Sequence, residues 1–99
     1  MIKNMILWKL KDMPEAAKEE QIRLVKAGLE NLSGKIPGMI DIHVQIDKLP
    51  TSNADMMLDT TFEDADALTG YAVNPDHNTI ADTYIRPYIE ARLCIDYEI

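Results

Sequence analysis

Ile40-Asp41-Ile42-His43-Val44-Gln45-Ile46-Asp47, followed after a short loop by Asp55-Met56-Met57-Leu58-Asp59-Thr60-Thr61-Phe62-Glu63, decides the fold. In the first run Ile40, Ile42, Val44 and Ile46 alternate with Asp41, His43, Gln45 and Asp47, the period of a strand with one buried face. In the second, Met56, Leu58, Thr60 and Phe62 alternate with Met57, Asp59 and Thr61. Between them Pro50 to Asn53 reads as a loop. Two successive strands without an intervening helix pair as antiparallel neighbours.

The flanks repeat one pattern on either side. Ile2 to Leu10 alternates, with Ile2, Asn4, Ile6, Trp8 and Leu10 on one face and Lys3, Met5, Leu7 and Lys9 on the other. Pro14 suits the first turn of a helix, with Asp12 or Met13 near its cap. Ile22, Val25, Leu29, Leu32 and Ile36 follow at steps of three and four, giving an apolar stripe on a helix from about Glu15 to Leu32. Ser33-Gly34 ends it, and Ile36-Pro37-Gly38 turns the chain. Beyond the central strands, a short helix covers Asp64 to Val73. A second runs from Pro75 towards Ile89, and a last strand from Arg92 to Glu98 places Leu93, Ile95 and Tyr97 on one face. The order β-α-β-β-α-β predicts an α+β, ferredoxin-like protomer with a four-stranded antiparallel sheet and both helical segments on one face. The opposite face carries apolar side chains, and a twofold partner is the economical cover for it.

Ninety-nine residues fit a single domain, 1–99. The net charge of −7 opposes a nucleic-acid partner or an anionic membrane surface, both of which need clustered Lys and Arg. No run of residues approaches the length and apolarity of a membrane span. The single cysteine, Cys94, cannot form an internal disulfide, and the first residues lack the pattern of a secretory signal; a cytoplasmic location is expected.

Gly70-Tyr71-Ala72-Val73-Asn74-Pro75-Asp76-His77 brings a phenol and an imidazole together around a helix break. Asn74 is a good N-cap and Pro75 a good first residue, which puts His77 in the first turn of a new helix. The helix dipole there favours neutral imidazole, while Asp76 pulls the other way. His77, Ala81, Tyr84 and Tyr88 follow at helical spacing, an inward face of small and aromatic side chains. A neutral histidine can act as a general base, and a tyrosine hydroxyl can steady a developing oxyanion. That pairing suits proton abstraction beside a carbonyl, with no cofactor and no metal. Asn4, Ile6 and Trp8 share the first strand's inward face and would wall a ligand cavity with Met56, Leu58 and Tyr84. Core packing is the commoner role for such residues, as hydrogen bonding inside the core is for a lone inward histidine.

Asp41 and His43 sit on the polar side of their strand, too few for a metal site. Arg86 has Glu90 four residues on as a helix-surface partner. There is neither a glycine-rich phosphate loop nor a nucleophile elbow.

The chain resembles the stress-responsive A/B barrel domain (Dabb) family over nearly its whole length. The resemblance is carried by Ile2-Lys3-Asn4-Met5-Ile6-Leu7-Trp8-Lys9-Leu10-Lys11, Ile36-Pro37-Gly38, Thr61-Phe62-Glu63-Asp64, Tyr71 with Asn74-Pro75-Asp76-His77, and Ile95-Asp96-Tyr97-Glu98. It implies a homodimer whose two sheets form a dimeric α/β barrel. In a plant polyketide cyclase of the family, a tyrosine and a histidine matching Tyr71 and His77 do the chemistry. Two pocket histidines of that member are replaced here by Asn4 and Met56, so its pocket is not reproduced. The resemblance therefore implies a homodimer that binds a small apolar or aromatic molecule. Three roles follow for it: a cyclase-like enzyme with Tyr71 as oxyanion partner and His77 as base, a non-catalytic stress-responsive ligand-binding dimer, or a cofactor-free monooxygenase like those among related dimeric barrels.

Overall fold

Strand β1 (Ile2–Leu10) occupies an inner position of the sheet and alternates between a buried and a more open face. The computed structural model, which describes residues 1–99, continues with helix α1 (Glu15–Glu30), strands β2 (Met39–Gln45) and β3 (Met56–Phe62), helices α2 (Ala65–Val73) and α3 (Pro75–Ile80), and strand β4 (Ile89–Glu98). The four strands are antiparallel neighbours in the order β2-β3-β1-β4. This is the expected ferredoxin-like arrangement, with β2 and β4 at the edges.

The core lies between the sheet and the helices. Asn4, Ile6, Trp8 and Leu10 of β1 pack there with Met56, Leu58, Thr60 and Phe62 of β3, and with Ile42 and Val44 of β2. Helix α1 contributes Ile22, Val25 and Leu29, the spacing of one helical face, and Leu32 and Ile36 extend that contact through the following turn. Pro14 is itself the N-cap of α1 rather than a residue of its first turn.

Two departures from simple periodicity bear on the site. The register of β2 against β3 shifts between Met39 and Asp41, which leaves Ile40 out of the ladder and 53% exposed. A bulge of this kind reverses the face of the residues before it, and Met39 packs on the core in place of Ile40. The turn before it depends on Gly38, which has φ +76° and whose α-carbon faces Ala67 so closely that a β-carbon would lie 2.5 Å from the Ala67 Cβ.

The second departure divides the expected helix from Pro75 to Ile89. After α3 the chain widens into a π-helical turn, Ala81–Ile85, and then tightens into a 3₁₀ turn, Arg86–Tyr88. Pro87 accounts for this. It has no N–H to give the Thr83 carbonyl, and its ring would crowd that carbonyl in a regular helix. The ladder opens instead, and the Arg86 N–H donates to the Ala81 carbonyl five residues back. The Tyr84 carbonyl, freed from the regular ladder, accepts a 2.6 Å hydrogen bond from Nε2 of the buried Gln21 on α1.

The sheet face away from the helices is apolar in its β1–β4 half. The β1–β4 register places Met5 opposite Ile95 and Leu7 opposite Leu93, and the β1–β3 register adds Met57 beside Leu7. Leu93 and Ile95 are 72% and 62% exposed. No helix is long and apolar enough to cross a membrane.

Candidate functional site

The helices do not reach across the whole sheet. All of β4 beyond Ile89 is exposed, on both faces. Between this uncovered strand and helices α2 and α3 lies a cavity of about 560 Å³. Asn4, Ile6 and Trp8 of β1 and Leu58 of β3 line it from the sheet. Tyr71, Ala72, His77, Ala81 and Ile85 are among those that line it from the helical side, and Arg86, Arg92, Cys94 and Asp96 add its charged and polar groups.

The break between α2 and α3 brings Tyr71 and His77 together. Asn74 is the N-cap of α3, and its Oδ1 accepts a 2.9 Å hydrogen bond from the Asp76 N–H. Pro75 opens the helix, where a missing N–H costs nothing. With the helix axis restarted, the Tyr71 and His77 rings lie with centroids 4.0 Å apart and planes tilted by 31°. On the other side of Tyr71, the Phe62 ring stands 5.3 Å away.

Burial sets the electrostatics of the pair. Tyr71 is 3% exposed, and burial holds its phenol far above the usual range, so the hydroxyl is a proton-bearing group at neutral pH. His77 is pushed below 6.5 first by burial and then by the Arg86 guanidinium, with the backbone of Tyr71 and Ala72 pulling the other way and Arg92 adding to the decrease. Its imidazole is therefore neutral at pH 7. The Tyr71 hydroxyl and His77 Nδ1 are both buried; the hydroxyl has no hydrogen-bond partner in the protein, and Nδ1 makes none of full geometry, the imidazole only approaching the backbone of Tyr71 and Ala72. Asn4 Oδ1 is also buried without a partner. Its Nδ2 donates to Asp96 at 2.5 Å and approaches Cys94 Sγ at 3.5 Å, so the amide is fixed with its oxygen unspent. Buried polar atoms without partners carry a desolvation cost that a ligand offering complementary atoms would relieve.

Six of the eight residues expected at the site line this one cavity: Asn4, Ile6, Trp8, Leu58, Tyr71 and His77. Tyr84 and Met56, also expected there, are not among the residues that line it. A regular helix would carry the face of His77 and Ala81 on to Tyr84 and Tyr88. The π-helical turn adds most of a residue per turn, and the face passes instead through Ile85. Met56 is buried next to Trp8 in the sheet and borders a separate shallow depression with Leu7, Leu49 and Met57. Arg92, Cys94 and Asp96 were not expected at the cavity. Their signal was available in the alternation of β4, since residues between Leu93, Ile95 and Tyr97 must point to the helical side. Arg86 meets Asp82 and Asn78 Oδ1, and Glu90 pairs with Lys9 instead. His43 lies 3.2 Å from Glu30 and 3.2 Å from Gln45 Oε1, tying the outer strand β2 to α1.

The family described as the stress responsive A/B barrel domain matches residues 2–99. The chain belongs to the stress-responsive A/B barrel domain family. A solved member of this fold from Bacteroides fragilis, described as a dimeric protein of unknown function, is 28% identical, with a TM-score of 0.93 over 99% of this chain and 95% of that one. A Dabb family protein from Mesorhizobium loti is 23% identical, with a TM-score of 0.76 over 99% and 95%. The A/B barrel fold is also that of a hydroxynitrile lyase from Passiflora edulis, at 16% identity and a TM-score of 0.74 over 99% and 92%. No curated protein matches the chain significantly.

Proposed function

We propose that this A/B barrel chain is a homodimeric small-molecule-binding protein whose Tyr71–His77 pair transfers a proton beside a ligand carbonyl. One observation carries the reading: a neutral imidazole and a protonated phenol, 4.0 Å apart by ring centroid, both keep a buried polar atom free of protein partners on one largely apolar cavity. In the proposed step the His77 imidazole takes a proton from the carbon next to the carbonyl. The Tyr71 hydroxyl donates a hydrogen bond to the oxygen, where negative charge collects. The imidazolium then returns the proton to the rearranged product. His77 is suited to the task because its depressed pKa keeps it unprotonated, and Tyr71 because its raised pKa keeps its proton in place.

The homodimer is proposed through the open sheet face. Met5, Leu7, Met57, Leu93, Ile95 and Tyr97 form a contiguous apolar surface there, and solved relatives are described as dimeric. A thermal-shift screen of aryl ketones and aromatic acids tests the binding role. Compounds that raise the melting temperature of the wild type but leave Tyr71→Phe and His77→Ala unmoved support it. Compounds that stabilise all three proteins equally bind elsewhere and contradict it.

A further inference from the structure

The cavity has two unlike ends. In its depth stand the unpartnered atoms of Tyr71, His77 and Asn4. At its exposed side stand two guanidinium groups, Arg86 and Arg92. Arg86 is engaged by Asp82 and by Asn78 Oδ1. Arg92 takes part in none of the chain's ion pairs or side-chain hydrogen bonds. It sits opposite Trp8 in the β1–β4 register, on the strand face that looks towards the helices. The carboxylate nearest along that face, Asp96, is held by Asn4 Nδ2 and lies beside Cys94 Sγ.

Resting on the reading of this cavity as a ligand site, we propose that Arg92 selects a carboxylate-bearing ligand. The carboxylate pairs with Arg92 at the mouth, and a carbonyl or hydroxyl oxygen at the far end of an apolar body meets Tyr71 and His77. Two features point the same way. An uncommitted guanidinium offers a planar, two-pronged donor matched to a carboxylate. The positive field of both arginines reaches the inner end, where it bears on His77. The chain as a whole carries a net charge of −7, so any attraction of a carboxylate must come from these two arginines at short range. A phosphate dianion is the poorer fit, since its second negative charge would have to be held against Asp96, which shares the lining.

Fluorescence titration with 6-hydroxy-2-naphthoate and with its methyl ester tests the proposal. Wild type, Arg92→Gln, Arg92→Lys and His77→Ala are compared. The acid should bind wild type roughly tenfold more tightly than the ester. Arg92→Gln should weaken the acid by about tenfold and the ester by clearly less, removing that preference, and Arg92→Lys should restore part of it as a point charge. His77→Ala should weaken acid and ester alike. If acid and ester bind wild type equally, and both weaken in His77→Ala, the cavity is a ligand site without carboxylate selection and the role of Arg92 is refuted. If the acid is preferred but Arg92→Gln keeps the preference, the selection lies elsewhere and the proposal is again refuted. Saturable binding of neither compound overturns both the carboxylate role and its choice of an aromatic ligand.

Discussion

Tyr71 and His77 face each other across a helix break, with ring centroids 4.0 Å apart, and the break itself is capped by Asn74. Their separation of six residues would point them to different sides of one continuous helix. The restart at Pro75 is what makes them a pair. Asn74→Ala should therefore do two things. It should cost about 1 kcal/mol of stability through the lost cap. It should also relax the ring-on-ring contact, so the ring-current displacement of the His77 proton resonances should shrink in NMR spectra.

The depressed pKa of His77 makes stability depend on pH in a defined direction. Between the lowered folded value and the unfolded value near 6.5, the unfolded chain binds more protons than the folded one. The contribution of neutral His77 is thus complete above about pH 6.5 and is lost as pH falls through that window to the folded value. Glu30 acts separately at lower pH. Burial alone would raise its pKa, but hydrogen bonds from Lys26 and the Val44 N–H, with the charges of Lys26 and His43, leave it below 4.5. Urea midpoints measured from about pH 8 to about pH 5 should decline for wild type. In His77→Asn they should stay nearly level.

Two glycines with nearly equal φ should respond differently to alanine. Gly34 has φ +77° and open space around it, so Gly34→Ala should cost only the left-handed backbone penalty of roughly 1–2 kcal/mol. Gly38 has φ +76° and faces the Ala67 Cβ. Gly38→Ala must in addition displace α2, the helix that carries Tyr71, so its melting temperature should fall further than that of Gly34→Ala.

The open sheet face gives a prediction about assembly. Ile95→Asp places a charge in the middle of the proposed dimer surface, where desolvating an unpaired carboxylate is unfavourable. Light scattering at micromolar concentration should show wild type as a dimer and Ile95→Asp as a monomer. A monomeric wild type would contradict the proposed assembly.

Much of this arrangement is legible in the residues themselves. Ile42 and Val44, or Ile22, Val25 and Leu29, announce their elements because burial repeats at the period of the backbone. Asn74-Pro75 announces the break because capping chemistry is local. Ile40, Tyr84 and Met56 are less transparent, each for a physical reason. The bulge that turns Ile40 outward is an irregularity of pairing, a property of two strands rather than one. Tyr84 leaves the face of His77 because Pro87, three residues later, opens the helical ladder. Met56 has the right alternation and pairs with Trp8, but it stands on β3, one strand further from the β4 side on which the cavity opens. Arg92 is the reverse case. Its direction follows from alternation, but its standing at a cavity mouth depends on where α2 and α3 stop short of β4.

Deuterium exchange puts the proton-transfer role of His77 to the most direct trial. Acetophenone, an aryl ketone with exchangeable protons beside its carbonyl, is incubated with the protein in D₂O at neutral pH and followed by proton NMR. Wild type should accelerate exchange over buffer by about 10²-fold or more. His77→Ala should fall to the buffer rate, and Tyr71→Phe should lose roughly 10–100-fold of the acceleration through its missing oxyanion donor. Exchange in His77→Ala as fast as in wild type, or no acceleration by wild type while thermal shift shows the ketone bound, would contradict a catalytic base at His77.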